Sequence, residues 1–355
     1  MGTGSRVTVF GAYGHTGRFV VAHLRDRGFV PVLSGRDAGK LATMAASTDG
    51  LEARRASVDE AASLDRAVAG AAAVVNCAGP FATTAAPVME AALRAGIPYL
   101  DVAAEIEANL DAFTHFADRA RAARAVIVPA MAFYGGLGDL LVTAAMGDWA
   151  RADEAHVAYG LSSWHPTAGT RAAGAVSRQR RGGRGLRYTN GRLEYHHDEP
   201  RTLPWPFPDP MGPRTVVAGF TMADVVTVPS HLPIPAVHTY MTAEAARDVS
   251  APDTPAPAAA DEGGRSAQTF LVDVVVRFGG VERRAVARGQ DIYAVTAPLV
   301  VEALDRVLTG RTTTAGVACA GEIFDAPDFL RALSPHLSWE MLPGRAASAA
   351  RVGAP

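Results

Sequence analysis

Val7-Thr8-Val9-Phe10-Gly11-Ala12-Tyr13-Gly14-His15-Thr16-Gly17, followed by the helically spaced run Phe19–Leu24, decides how this chain begins to fold. A short β-branched strand enters a turn carrying three glycines, and an amphipathic helix leaves it. Glycine is needed there because the chain reverses tightly, because its backbone must be able to approach a pyrophosphate, and because the helix packs close to the strand. With 35 glycines among 355 residues the pattern alone is weak. The strand before it and the helix after it give it meaning.

Working outward, short apolar runs alternate with amphipathic stretches over the first 130 or so residues, the rhythm of βαβ units and a parallel sheet. The spacing predicts strands at Val7–Phe10, Phe29–Leu33, Leu51–Ser57, Ala73–Asn76, Ile97–Asp101 and Ala125–Val128. Leu110, Phe113 and Ala117 keep helical spacing after Ile106 and predict a helix packed on the sheet. The expected fold is α/β: a Rossmann-type doubly wound parallel sheet with a second α+β lobe for substrate and dimerisation. Residues 1–148 form the dinucleotide-binding domain in this reading, 149–292 the α+β lobe, 293–342 a C-terminal helical return segment and 343–355 a disordered tail. Within the second lobe, Thr269–Arg277 and Val281–Arg288 read as a hairpin across Gly279-Gly280, and Ala294–Leu308 as a helix returning toward the first lobe. Arg178–Arg187 and Ser250–Arg265 read as mobile loops from their composition.

Composition narrows the function. A net charge of -2 removes the positive field of a sequence-independent nucleic-acid binder, and small-molecule partners become the expectation. Cys77 and Cys319 are the only cysteines, too few for a disulfide framework, and no short-spaced Cys/His set offers a zinc site. A reducing, cytoplasmic setting follows, with no membrane segment expected from the apolar runs. Lys40 is the only lysine. Its isolation excludes the Tyr-x-x-x-Lys pair of short-chain dehydrogenases, a P-loop lysine, and a Schiff-base lysine anywhere else.

The chemistry-bearing residues cluster at predicted strand ends. Where an NAD-specific domain carries an acid after its second strand, this chain has Ser34-Gly35-Arg36. A guanidinium there can pair with a 2′-phosphate, with Ser34 donating another hydrogen bond and Lys40 adding charge one turn later, so NADP(H) is favoured. The fourth strand ends in Asn76-Cys77-Ala78-Gly79-Pro80-Phe81, whose small side chains let a ribose and nicotinamide approach the backbone. Cys77 reads as a small wall residue. After the sixth strand, Phe133-Tyr134-Gly135-Gly136-Leu137-Gly138-Asp139 forms a glycine-rich loop at the same edge. Tyr134 is a candidate proton donor, and Asp139 a candidate catalytic acid or a cap of the next helix. Asp101 and Glu105, after the fifth strand, are further candidates. In the second lobe Trp164-His165-Pro166-Thr167-Ala168-Gly169-Thr170 gathers hydroxyls around a histidine able to exchange protons near neutral pH. His196-His197-Asp198-Glu199 reads as a solvated turn, since adjacent residues seldom direct both imidazoles at one ion.

Gly11–Gly17, Ser34–Asp37, Asn76–Phe81 and Tyr99–Glu105 together resemble the saccharopine dehydrogenase-like family, in the branch of stand-alone bacterial oxidoreductases related to trans-acting enoyl reductases. That resemblance covers the first lobe well and the second loosely. It departs at Tyr13, where the family usually has Thr, and at His15, where it usually has an aromatic. By resemblance Gly11, Gly14, Thr16, Gly17, Arg36, Ala78, Gly79 and Pro80 line the cofactor site. Tyr13, His15, Ser34, Gly35, Lys40, Cys77 and Glu105 complete the expected set, with Tyr134, His165 and Asp139 as catalytic candidates. The implied activity is NADP(H)-dependent transfer of a hydride to a C=N or conjugated C=C bond of a small or carrier-bound substrate, in a homodimer. A non-catalytic NADP(H) sensor and a lyase or transferase with internal hydride return are the alternatives.

Overall fold

The computed structural model describes residues 4–346. The first lobe runs β1 (Arg6–Phe10), α1 (His15–Asp26), β2 (Val30–Gly35), α2 (Ala38–Ala46), β3 (Ala53–Arg55), α3 (Ala61–Val68), β4 (Ala73–Asn76), α4 (Phe81–Ala95), β5 (Tyr99–Asp101), α5 (Ile106–Ala122) and β6 (Val126–Val128). A tight turn at Phe133–Leu137 leads into α6 (Gly138–Met146). The second lobe follows with β7 (Glu154–Leu161), α7 (Ala168–Arg181), β8 (Gly185–Thr189), β9 (Arg192–His196), β10 (Thr202–Pro206), β11 (Pro213–Ala218), α8 (Asp224–His231), β12 (Val237–Thr242) and α9 (Ala243–Ser250). It continues through β13 (Thr269–Phe278), β14 (Val281–Gln290), α10 (Thr296–Leu308), β15 (Gly316–Val317), α11 (Ala320–Ile323), α12 (Ala326–Ala332) and β16 (Leu337–Ala346).

The first sheet is parallel, in the order β15-β6-β5-β4-β1-β2-β3. β1 pairs with β2 on one side and β4 on the other, so the chain winds outward in both directions from that pair. The crevice for a ligand opens at this reversal, above Gly11 and Cys77. Six strands were expected here and seven are present: the two residues of β15 pair with β6, a run too short to leave a sequence pattern. α5 forms as expected, but its buried stripe is Ala112, Phe116 and Ala120, with Leu110, Phe113 and Ala117 half-buried beside it.

The second sheet is mixed, in the order β10-β11-β12-β7-β13-β14-β16, with β8 pairing β12 and β9 off that path. β13 and β14 make the expected hairpin, closing Phe278 onto Val281 across Gly279 (φ 57°) and Gly280 (φ 79°). Positive φ at both positions gives the turn the twist of its strands, which only glycine adopts freely. α10 returns to the first lobe and packs on α1. There Arg27 reaches Glu302 at 3.0 Å and Asp305 at 3.3 Å.

Three expectations change. Arg178–Arg187 is not a loop: Arg178, Arg180 and Arg181 are the last turn of α7, and Gly185–Arg187 begins β8. Composition misleads there because carboxylates of α5 neutralise the arginines, Asp111 meeting Arg180 and Glu107 meeting Arg181. Residues 251–265 lack regular structure but are tethered, Arg171 donating to the carbonyls of Ala251 (3.1 Å) and Thr254 (2.6 Å). The segment 293–342 is not wholly helical, and 343–346, expected in the tail, belong to β16 against β14; the rest of the tail lies outside the described residues.

Candidate functional site

The site begins at the turn after β1. Gly11 has φ 86°, and a Cβ there would lie 2.8 Å from the amide nitrogen of Ala78. A Cβ on Gly17 would run into the carbonyl oxygens of Gly11 and Ala12. Any side chain would therefore part β1 from the β4 loop, or α1 from its own strand. Gly14 precedes α1 without offering a capping side chain, so the helix presents its first amides to the crevice. Such an end is suited to a phosphate. His15 opens α1 between two aromatic rings, edge-on to Phe19 at 5.4 Å and to Tyr293 at 5.2 Å. Its Nε2 is buried without a partner, and burial holds its pKa below the ordinary histidine value. An unpartnered polar atom beside an uncapped helix fits a dinucleotide cradle.

At the end of β2, the expected roles divide. Ser34 is fully buried and its hydroxyl donates to the carbonyl of Arg54 at 2.9 Å, so it is spent on β3 rather than offered to a 2′-phosphate. Asp37, the one competing acid, caps α2 by accepting from the Lys40 amide at 3.0 Å. Tyr13 lies against Gly35, its hydroxyl accepting from the Asp37 amide at 3.2 Å. The Lys40 ammonium sits 5.8 Å from the Tyr13 ring centre. Arg36 is exposed, and its guanidinium has no hydrogen bond among the described residues. The sequence reading missed its neighbour: β3 pairs Arg55 with Gly35, and the Arg55 Nε donates to the Arg36 carbonyl at 3.1 Å. Two guanidiniums thus stand where a single one was expected. Only the parallel register of β2 and β3 reveals this.

At the end of β4, Cys77 is a half-buried wall residue whose thiol pKa is driven far up by burial, against nucleophilic use. Ala78, Gly79 and Pro80 lie beside it, with the Ala78 amide held by Asn76 at 3.0 Å. Glu105 does not face this opening with a free carboxylate: it accepts from the amides of Phe81 (2.6 Å) and Ala82 (3.1 Å) and so caps α4. Asp101 is also internal. It accepts from the amides of Ala103 (3.0 Å) and Ala130 (2.8 Å) and the hydroxyl of Tyr99 (2.8 Å), while burial raises its pKa to about 6. These two carboxylates hold the β4, β5 and β6 loops in place.

The catalytic candidates are not gathered around one point. Tyr134 is buried, its hydroxyl without a partner and its pKa driven well up by burial. Trp164 lies on its ring at 5.1 Å, so the loop after β6 and the loop after β7 are in direct contact. Asp139 is fully buried and does not cap α6; it accepts from the Gly321 amide of α11 at 2.7 Å and pairs with His231 Nε2 at 2.7 Å. That removes it from the catalytic set. Asp224, beneath Tyr134, accepts from Tyr159 at 2.8 Å while its second oxygen has no partner, and burial raises its pKa to about 6. His165 is half-buried and lines a cavity with Tyr293. His196 ends β9 with Nδ1 at 3.6 Å from Asp198, on a surface turn.

Tyr293, just before α10, is the residue the sequence reading overlooked. Its hydroxyl accepts from Trp164 Nε1 (3.1 Å) and the Thr167 amide (3.3 Å), and lies 2.9 Å from the Thr170 hydroxyl. One phenol therefore gathers the whole 164–170 loop, and its ring meets His15 of the first lobe. Nothing in the local sequence Asp291-Ile292-Tyr293 signals this, because every partner is remote in the chain.

Residues 7–128 match the family model described as the saccharopine dehydrogenase NADP binding domain. Apo saccharopine dehydrogenase (L-Glu forming) from Saccharomyces cerevisiae superposes with a TM-score of 0.65 at 12% identity, covering 96% of this chain and 100% of that one. A 3-ketoacyl-(acyl-carrier-protein) reductase from Brucella melitensis shares 15% identity over 36% of this chain and 74% of its own, with a TM-score of 0.31. Comparison with curated proteins finds no match. No helix among the described residues is long and apolar enough to cross a membrane.

Proposed function

From the premise that residues 7–128 are a saccharopine dehydrogenase NADP binding domain, on a chain with the saccharopine dehydrogenase fold, we propose that this protein is an NADP(H)-dependent oxidoreductase acting on a C=N or conjugated C=C bond of a small or carrier-bound substrate. The observation that carries the proposal is the meeting of the two lobes at His15, where the ring of Tyr293, the residue that gathers the 164–170 loop, lies against the start of α1. A protein that only sensed the nucleotide would need no such second wall.

When bound, NADP(H) supplies the hydride. The chain's own residues then have separable tasks. The amides after Gly14 take the pyrophosphate, and Arg36 and Arg55 take the 2′-phosphate. Ala78, Gly79 and Pro80 leave room for the ribose. Trp164 and Tyr293 exclude water from the opposite side. Hydride transfer leaves negative charge on the acceptor, and His165 is the candidate best placed to neutralise it, because its imidazole is half-buried whereas Tyr134 keeps its proton in the core.

The test is transfer from stereospecifically deuterated NADPH to a metabolite pool, read by mass spectrometry. A deuterated product supports the reading. Tight NADPH binding with no transfer across a broad pool supports the sensor, and deuterium returning to the cofactor supports the lyase or transferase.

A further inference from the structure

Beside Tyr293 the second lobe bears an open cavity of about 340 Å³ with Ala258, Ala259, Ala260 and Ala267 exposed at its rim, within the range of small-molecule sites. Its walls come from Ser163 and His165 after β7, the stretch 257–260 after α9, and the residues Ser266–Gln268 leading into β13. Tyr293 forms the remaining wall and turns the same ring toward His15. Through the Tyr293 ring the cavity adjoins the nucleotide turn.

The charge of this lining is its most informative property. No arginine or lysine is part of it. The arginines that hold the neighbouring loop are committed elsewhere, Arg171 to the carbonyls of Ala251 and Thr254 and Arg265 to Asp261. Asp261 and Arg265, next in the chain to the lining residues Ala260 and Ser266, pair with each other, and the fully buried Asp291 carboxylate accepts from the amides of Ser266 (2.6 Å), Tyr293 (2.9 Å) and Ala294 (3.0 Å). An anion in the cavity would find no arginine or lysine in its walls.

The polar groups available are equally restrictive. Gln268 is held from both ends of its amide, donating to the Ser163 carbonyl and accepting from the Ile292 amide. The Tyr293 hydroxyl is already the acceptor for Trp164 and Thr167. What remains are the His165 ring and the hydroxyls of Ser163 and Ser266. Such a set can hold one carbonyl oxygen or imine nitrogen against walls of alanine and proline.

We infer that this cavity is the substrate pocket and that it selects an uncharged, largely apolar small molecule bearing one hydrogen-bond acceptor, rejecting carboxylates. The inference rests on the oxidoreductase reading for the role of the pocket, but its selectivity is measurable without turnover.

The experiment uses the full chain saturated with NADP⁺ and two probes, 2-cyclohexen-1-one and fumarate, with binding read by saturation-transfer NMR. The enone is expected to bind at least about tenfold more tightly than fumarate. Ala259→Trp, which fills the cavity from the loop side, should weaken the enone about tenfold. Ser266→Arg, which adds a cation, should improve fumarate by about tenfold or more. NADP⁺ affinity by calorimetry and circular dichroism confirm that each variant is folded. Absence of enone binding, equal binding of both probes to the unaltered protein, or indifference of both probes to both variants overturns the inference. Deuterium transfer from labelled NADPH separates the two claims. Transfer to fumarate sinks the pocket assignment and leaves the oxidoreductase reading intact. Enone binding that responds to the variants, with no transfer to any substrate, supports the selectivity and counts against that reading.

Discussion

Two groups of arginines look alike in the sequence and differ completely in the fold. Arg36 and Arg55, at the ends of β2 and β3, are exposed, and neither guanidinium meets a carboxylate among the described residues. Arg180 and Arg181, at the end of α7, are consumed by Asp111 and Glu107 of α5, the Arg181 side chain being only 17% exposed and that of Glu107 8%. The first pair stands ready for an anion from outside the protein. The second pair fastens the second lobe to the first. A cation's role is set by which carboxylates the tertiary structure brings to it, and charge in the sequence says nothing of that.

Removing the free pair should have the largest effect. Arg36→Ala with Arg55→Ala is expected to weaken NADPH by about 10²–10³-fold while changing NADH little, since charge-assisted hydrogen bonds contribute roughly 1.5–3 kcal/mol each and adjacent ones are not fully additive. Calorimetry with both cofactors measures it. An equal loss for NADH would break the contrast, because the pair would then be structural.

Carboxylates without a cation sharpen the same contrast from the other side. Burial raises the pKa of Asp224 to about 6, and Tyr159 is the side chain that donates to it. The folded state thus retains a proton that the unfolded chain releases near pH 4. The resulting stabilisation is whole below that pH and is lost as pH rises through about 6, at most about 3 kcal/mol. Asp224→Asn should flatten the stability profile across this window in urea titrations at stepped pH. A profile identical to that of the unaltered protein would show that Asp224 is ionised throughout.

The paired group should respond more modestly. Glu107→Gln leaves Arg181 half-buried and uncompensated, and is expected to cost about 1–3 kcal/mol, between the values for exposed and fully buried pairs. NADPH affinity should stay within about twofold. A large change in affinity with little change in stability would reverse the roles assigned to the two groups.

The smallest effect is on proteolysis. Arg178, Arg180 and Arg181 are helical, so brief trypsin treatment should cut first at Arg184, just beyond Gly182-Gly183, and Glu107→Gln should speed cleavage at Arg180 and Arg181 a few-fold by loosening the last turn of α7. Prompt cutting at Arg178 in the unaltered protein would mean that the helix is not held in solution.

The sequence by itself determined the first lobe. Six of the seven strands of its sheet, its glycine turn and Arg36 follow from local spacing and from the steric needs of a tight turn, which act between residues close in the chain. The hairpin across Gly279-Gly280 was legible for the same reason. Tertiary structure alone decided the rest. It spent Ser34 on β3, Glu105 on α4 and Asp139 on α11, and it set Arg55 beside Arg36 through strand register. It also made Tyr293 the hub of a loop more than a hundred residues earlier, at separations of 123 to 129 residues. A hydrogen bond depends on distance and angle, and over such separations only the packing of the two lobes fixes them.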